Sequence, residues 1–486
     1  MGARRRAMQD VILDDARAPV PSPPPAARGA RPSLVRRWWP AAAGLAVVVV
    51  SVGALSAGRS EAARLSALEA VPGILAPLDG PVSERWRAAD LLWLGPTEVA
   101  GRLVGAESHL DGSVDVVALD PRTGRRAWRT RARGPGSVSG WIRCALPAAP
   151  RPAANTPAAP QVIVCVVTDA VIITAESTSG YIYSASRSRL VVVDGTTGAK
   201  VSDAITAAST SVTAFSTDLL ISDVGADGRL HLARTDARGR STRWSVTSPG
   251  PIPLNDSRQR AAAISVAGGL IVVDAGSTWV LSGGGALIET WAPGADTPIG
   301  ARVEVLRGGL LGKPAASVDG VSMTDVVAPG SGRSFEAAGA PAEVALTDGS
   351  LADLVLLQSA EGRRLLAYGK DQGELRWTTP SDAGALVIVD GRVIRAAAGE
   401  LESIDGRTGE RVWTTPAARV RRGPLATDGR LVLLTRQDLG HGLVLAAYGL
   451  DDGRSRWQVD IDENLDLVTV AGRLYGWSGH ALVALR

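Results

Sequence analysis

Beyond residue 79 the apolar residues fall in short runs, broken by polar turn residues at near-regular intervals. The stretch "LESIDGRTGERVWTTP", Leu401 to Pro416, shows the unit. "LESI" has strand propensity, "DGRTG" reads as a turn whose glycine supplies a positive φ, and the second run carries Trp413. Asp405, Gly409 and Trp413 stand four residues apart. The same spacing recurs in "ALDPRTGRRAW" (Asp120, Gly124, Trp128), "AYGKDQGELRW" (Gly369, Gly373, Trp377) and "AYGLDDGRSRW" (Gly449, Gly453, Trp457). "VVDGTTGAKVS" keeps Asp194 and Gly198 but has Ser202 at the tryptophan position. Looser copies end at Trp244, Trp291 and Phe335.

A second turn signal precedes each unit, in "TDGS", "VDGR", "TDGR" and "VAGR". Its glycines, Gly349, Gly391, Gly429 and Gly472, are 42, 38 and 43 residues apart. Two turn signals per roughly 40 residues mean about four short strands per unit, the pattern of a β-propeller blade. The fold expected is therefore all-β, a propeller of four-stranded blades over residues 79–486. The count expected is eight, with seven or nine left open, because the copies ending at Trp291 and Phe335 could be one merged pair. After Trp457 the chain supplies three strands and stops. "LDGPVSERW", Asp79 to Trp86, carries the missing aspartate, glycine and tryptophan, and is expected to complete the last blade and remove the ring's free edge.

Upstream the pattern changes. "WWPAAAGLAVVVVSVGALSAG", Trp38 to Gly58, has no charge and is bounded by Arg37 and Arg59. About 20 apolar residues span a bilayer as a helix, and Trp38 and Trp39 suit its interface. Residues 1–37 hold eight arginines against three aspartates and are rich in proline, which favours a disordered cytoplasmic tail. The organisation expected is tail 1–37, transmembrane helix 38–58, linker 59–78 and propeller 79–486 outside the cytoplasm. A cleaved signal peptide is the alternative for 38–58.

Composition agrees with many turns, at Gly 55 and Pro 29 in 486 residues. The net charge is +3, with +5 in residues 1–37 and −2 in all that follows, which excludes an obvious nucleic-acid binder. Cys144 and Cys165 lie in apolar runs on either side of a long loop, and a disulfide between them suits the extracytoplasmic compartment. Two unrelated buried thiols are the alternative.

The repeats "ALDPRTGRRAW" and "SIDGRTGERVW" resemble those of the PQQ-binding-like β-propellers, the superfamily of the quinoprotein dehydrogenases. In that family the final tryptophan docks between adjacent blades, and the resemblance implies this place for Trp86, Trp128, Trp244, Trp291, Trp377, Trp413 and Trp457. The family's enzymes hold their quinone against a disulfide of adjacent cysteines, and no adjacent pair exists here. "DIDENLD" has aspartates at alternate positions but lacks the glycine and glutamate of a calcium loop, and reads as a solvated connection. His109, His231, His441 and His480 are scattered, and there is no GxSxG elbow. No catalytic, metal or cofactor residue is assigned.

The reading is a non-catalytic, membrane-anchored binding or scaffolding propeller for an envelope protein, peptide or glycan. Its contact region is expected in the long loops 145–160 and 171–188. Trp93, Trp141, Trp279 and Trp477 are further candidates for a binding surface. A quinone-dependent oxidoreductase, another propeller enzyme and a sensor signalling through the tail are the alternatives.

Overall fold

The computed structural model describes residues 59–89, 98–136 and 142–147, and 161–486 apart from 170, 175–180, 185–186, 254–261, 293–301, 319–320, 360–362, 382–383, 398, 418–424, 439–441, 462–464 and 479–480. The segment 38–58 expected to cross the membrane lies outside the described residues. Among those described, no helix is long and apolar enough to do so. Leu65–Arg486 form one compact unit.

That unit is a propeller of nine blades, not eight. Blade 1 spans residues 98–133, blade 2 142–206, blade 3 211–251, blade 4 263–291 and blade 5 304–338. Blade 6 spans 340–380, blade 7 386–416, blade 8 426–460, and blade 9 joins 466–485 to Glu84–Ala89. The copies ending at Trp291 and Phe335 are separate sheets, blades 4 and 5. In blade 9, Glu84–Ala89 pairs antiparallel with Ala481–Leu485, and Ser83 and Arg486 exchange backbone hydrogen bonds of 2.7 and 2.9 Å. The N-terminal strand thus closes the ring, as the repeat spacing implies. Blade 7 has a fifth strand, Val344–Thr347, laid parallel along Leu386–Val389.

The core is not a single centre. It is nine apolar clusters, one in each gap between neighbouring blades. This explains the sequence pattern of each blade. Val432 and Leu434 face blade 7, whereas Leu433 between them faces blade 9. A strand buried on both faces reads as a continuous apolar run, and alternate side chains serve opposite neighbours. The outermost strands, such as Arg411–Pro416, alternate instead, because one face meets water.

Each blade is an antiparallel meander, so its first and third turns lie at the same end. Gly406 N–H donates to Gly391 O and Leu450 N–H to Arg430 O, both at 2.8 Å, tying the two turns together. Residues 65–78, read from the sequence as linker, pack across this end. Leu75 N–H donates to Thr427 O at 2.8 Å, Ala76 N–H to Gly472 O at 2.7 Å, and Leu78 N–H to Asp428 Oδ2 at 3.0 Å. Leu65 and Leu68 are buried, and Leu68 lies against Gly429. We call this the strap end, and the other the open end.

Candidate functional site

The turn glycines of the repeat do two jobs. Each has a positive φ, and six also leave space for the aromatic residue of the preceding blade. Trp86 covers Gly124, Trp128 covers Gly198, Trp244 covers Gly285, Phe335 covers Gly373, Trp377 covers Gly409 and Trp413 covers Gly453. A Cβ on Gly409 would sit 2.6 Å from Trp377 Cγ. Each of the five indoles also donates to a carbonyl of the next blade, from 2.8 Å for Trp377 to Gly406 O to 3.2 Å for Trp128 to Gly195 O. Trp291 and Trp457 occupy the same strand position without a glycine beneath them among the described residues, and Trp457 Nε1 is buried with no hydrogen-bond partner. At Ser202, blade 2 has no aromatic residue to offer. Trp279 and Trp477 pack into the blade 3–4 and blade 9–1 clusters, which accounts for them without a ligand. Trp93 and Trp141 lie outside the described residues.

Cys144 and Cys165 are directly paired across the first two strands of blade 2 and form a disulfide. The topology divides the contact region that the sequence suggests. The connection 146–161 joins strands one and two, so it leaves from the strap end, where Gly195 N–H donates to Gln161 O. The insertion after Thr168 joins strands two and three and leaves from the open end. It carries a hairpin, Val171–Thr174 paired with Tyr181–Ser184, as a separate two-stranded sheet. The two loops are separated by Val162–Thr168, a strand roughly 20 Å long.

Blade 1 presents its own turn at the open end. His109 N–H donates to Ser113 O and Gly112 N–H to His109 O, both at 2.9 Å, and Leu110 at the tip is fully exposed. Gly136 N–H donates to Asp111 O at 2.8 Å, folding the start of the "GPGSVSG" loop back onto the turn. Arg133 Nη1 donates to Thr168 O at 2.9 Å, binding the end of blade 1 to the base of the hairpin.

Beneath this turn lies a row of charges that the sequence did not single out. Glu107, Asp115 and Arg131 are directly opposite one another on adjacent strands. Asp115 is wholly buried and accepts from Arg129 Nε at 2.5 Å and from Arg131, with His109 Nε2 at 2.7 Å. Burial pushes the Asp115 carboxyl up, but the hydrogen bonds from Arg129, His109 and Arg131 outweigh it and hold the carboxyl below its ordinary value. Arg126 pairs with Glu107 at 2.5 Å. Ligand atoms of Glu107, His109 and Asp115 lie within 4.8 Å of one another, a spacing that could accommodate a metal ion. Three arginines already neutralise these acids, so the donor set fits a rigid ion-pair network better than a cation site. The signal was present in "VDV" opposite "RTRAR", but only strand register shows that these residues meet.

The fold and its aromatic seams define a closed, nine-bladed β-propeller. Residues 331–479 match the family model described as outer membrane protein assembly factor BamB, and so carry the repeat of the PQQ-binding-like propellers. No curated protein sequence matches the chain. Among solved structures, BamB from Moraxella catarrhalis is similar at 13% identity and a TM-score of 0.40, covering 83% of this chain and 99% of that one. The quinohemoprotein alcohol dehydrogenase ADHIIG from Pseudomonas putida HK5 is similar at 14% identity and a TM-score of 0.42, covering 87% and 81%. The computationally designed Ika8 protein follows at 12% and 0.36, covering 85% and 99%.

Proposed function

We propose that the protein is a membrane-anchored, extracytoplasmic scaffold that binds an envelope protein through the open end of blades 1 and 2. The observation that carries this reading is the hairpin Val171–Thr174/Tyr181–Ser184, which stands outside the nine blade sheets at the end of the ring where Leu110 is fully exposed. A ring of blades buries its apolar residues between neighbours, so an apolar side chain left at a turn tip and an extra hairpin at the same end have no role in closing the ring. A short strand outside the blade sheets can take a partner by adding a strand, and an apolar tip fills a pocket. The Arg133–Thr168 bond ties the end of blade 1 to blade 2 and the Asp115 network stiffens the strands beneath Leu110, which limits the ordering cost of binding there. The family description of an outer membrane assembly factor supports a role among envelope proteins.

The test is photo-crosslinking from position 110 of the full chain in its own envelope. One dominant adduct is expected, lost on deletion of residues 171–184 and retained on deletion of residues 147–158, which leave from the strap end. An adduct pattern indifferent to the hairpin deletion would overturn the reading. Dye-linked oxidation of alcohols or sugars on addition of pyrroloquinoline quinone and Ca²⁺ would replace it with the enzyme reading.

A further inference from the structure

The strap end carries a recurring charge device. In the turns at Asp120, Asp236, Asp405 and Asp428, the aspartate Oδ1 accepts the backbone N–H of an arginine two residues on. The four distances are 2.8, 2.9, 2.9 and 2.8 Å, for Arg122, Arg238, Arg407 and Arg430. Two roles are thereby separated. The aspartate is engaged with the turn backbone, while the arginine side chain projects from the tip. These four arginines, with Arg125 and Arg240 in the same turns, are exposed and form no salt bridge among the described residues. They belong to blades 1, 3, 7 and 8, on both sides of the ring, and antiparallel topology puts all of them at the strap end.

We propose that this end of the propeller docks on an anionic lipid surface, its arginines meeting phospholipid phosphates, so that the ring lies face-on to the membrane and the open end points away. The proposal rests on the reading of residues 38–58 as a membrane anchor. That segment ends seven residues before Leu65, the first residue of the compact unit, and seven residues reach about 25 Å at most. The strap then runs across the arginine-bearing end itself, so the chain enters the propeller on the side that carries these arginines. A guanidinium pairs well with phosphate, and each basic side chain near an anionic bilayer favours the docked state about fivefold. The attraction acts within a Debye length of about 10 Å at moderate salt, a range that the short tether permits. The docked orientation also frees the hairpin and Leu110 for a partner on the far side.

The test uses the full chain reconstituted in vesicles of phosphatidylcholine alone, or of phosphatidylcholine with phosphatidylglycerol. A fluorophore is placed at Ser241→Cys on the strap end or at Leu110→Cys on the open end, and quenching by aqueous acrylamide is read. Expected is protection of the position 241 label only with phosphatidylglycerol, reversed by high salt, and no change at position 110. Each Arg→Gln change at 122, 238, 407 or 430 should lower the docked-to-undocked ratio about fivefold. The salt reversal needs no variant, so a substitution that impairs folding does not decide the outcome. Equal quenching in both lipids overturns the proposal. So does protection that salt leaves intact, or protection seen only after envelope proteins are added. Flotation of the vesicles reads the anchor separately: a chain that floats with both lipids but shows no protection loses the docking and keeps the anchor.

Discussion

Trp413 of blade 7 lies over Gly453 of blade 8, and its Nε1–H donates to Leu450 O at 3.0 Å. The contact has no room for a Cβ, and Gly453 has a φ of 65°. One position therefore combines a backbone demand with a packing demand, and both are met only by glycine. Gly453→Ala is expected to destabilise by about 2–4 kcal/mol, from αL strain and overpacking together. Trp413→Ala should cost roughly 3–5 kcal/mol by opening a cavity in the seam. Chemical denaturation of the purified chain measures both, and a loss below about 1 kcal/mol for Trp413→Ala would remove the seam from the stability account.

The seams differ in a way that separates packing from hydrogen bonding. Trp413→Phe removes one of two donors to Leu450 O, Arg392 Nη1 at 3.1 Å being the other, and should cost about 1 kcal/mol beyond the lost area. Trp457→Phe removes an N–H that has no partner, so its cost should be smaller by about that amount. Equal losses for the two variants would show that the indole N–H contributes nothing to docking.

The Asp115 network makes a pH prediction. A carboxyl held below its ordinary value of 3.8 contributes stability above that value, and the contribution is lost as pH falls through the folded pKa. Stability should therefore drop below about pH 4, and Asp115→Asn should flatten that part of the profile. At neutral pH the substitution removes the charge that Arg129 and Arg131 pair with and one of its two acceptor oxygens. Because both arginines are partly exposed, about 2 kcal/mol is expected rather than the full cost of a buried ion pair.

Tyr475 offers a readout at the opposite extreme. Burial pushes its hydroxyl up to about 12, and its ring lies 5.9 Å from that of Trp86 in the closing blade. A raised folded pKa contributes stability that is complete below the unfolded value of about 10 and lost as pH rises toward 12. Absorbance titration should show one of the five tyrosines ionising last, and Tyr475→Phe should remove that step. Loss of the late step in any other single Tyr→Phe variant would reassign it.

The Cys144–Cys165 bridge closes the 146–161 connection at the strap end. Cys144→Ser with Cys165→Ser should lower stability by roughly 3 kcal/mol through the unfolded state. Crosslinking from position 110 should persist, because the hairpin leaves from the other end of blade 2. Loss of crosslinking in a folded double variant would tie partner binding to the bridge.

Much of this architecture could be read from local pattern. The spacing of Asp405, Gly409 and Trp413 depends on one turn and the strand after it, so the sequence alone specified the blade unit. The three strands after Trp457 and the tryptophan at Trp86 likewise specified how the ring closes. What the pattern could not supply were quantities that depend on distant surfaces meeting. The number of blades follows from how nine separate interfaces pack. The copies at Trp291 and Phe335 are ambiguous because Trp291 has no glycine beneath it among the described residues and a phenylalanine replaces the tryptophan at 335.

The ends of blade 2 show the same division. Two long loops in sequence look like one region, but antiparallel pairing of Val162–Thr168 sends them to opposite faces. The Asp115 network and the shared end of the turn arginines are legible only once register and end are known. Composition and periodicity determined which residues form strands and turns, because those depend on near neighbours along the chain. Tertiary structure decided which strands share a gap, which charges face one another and which end of the ring remains open, because burial and electrostatics act between residues that the sequence keeps far apart.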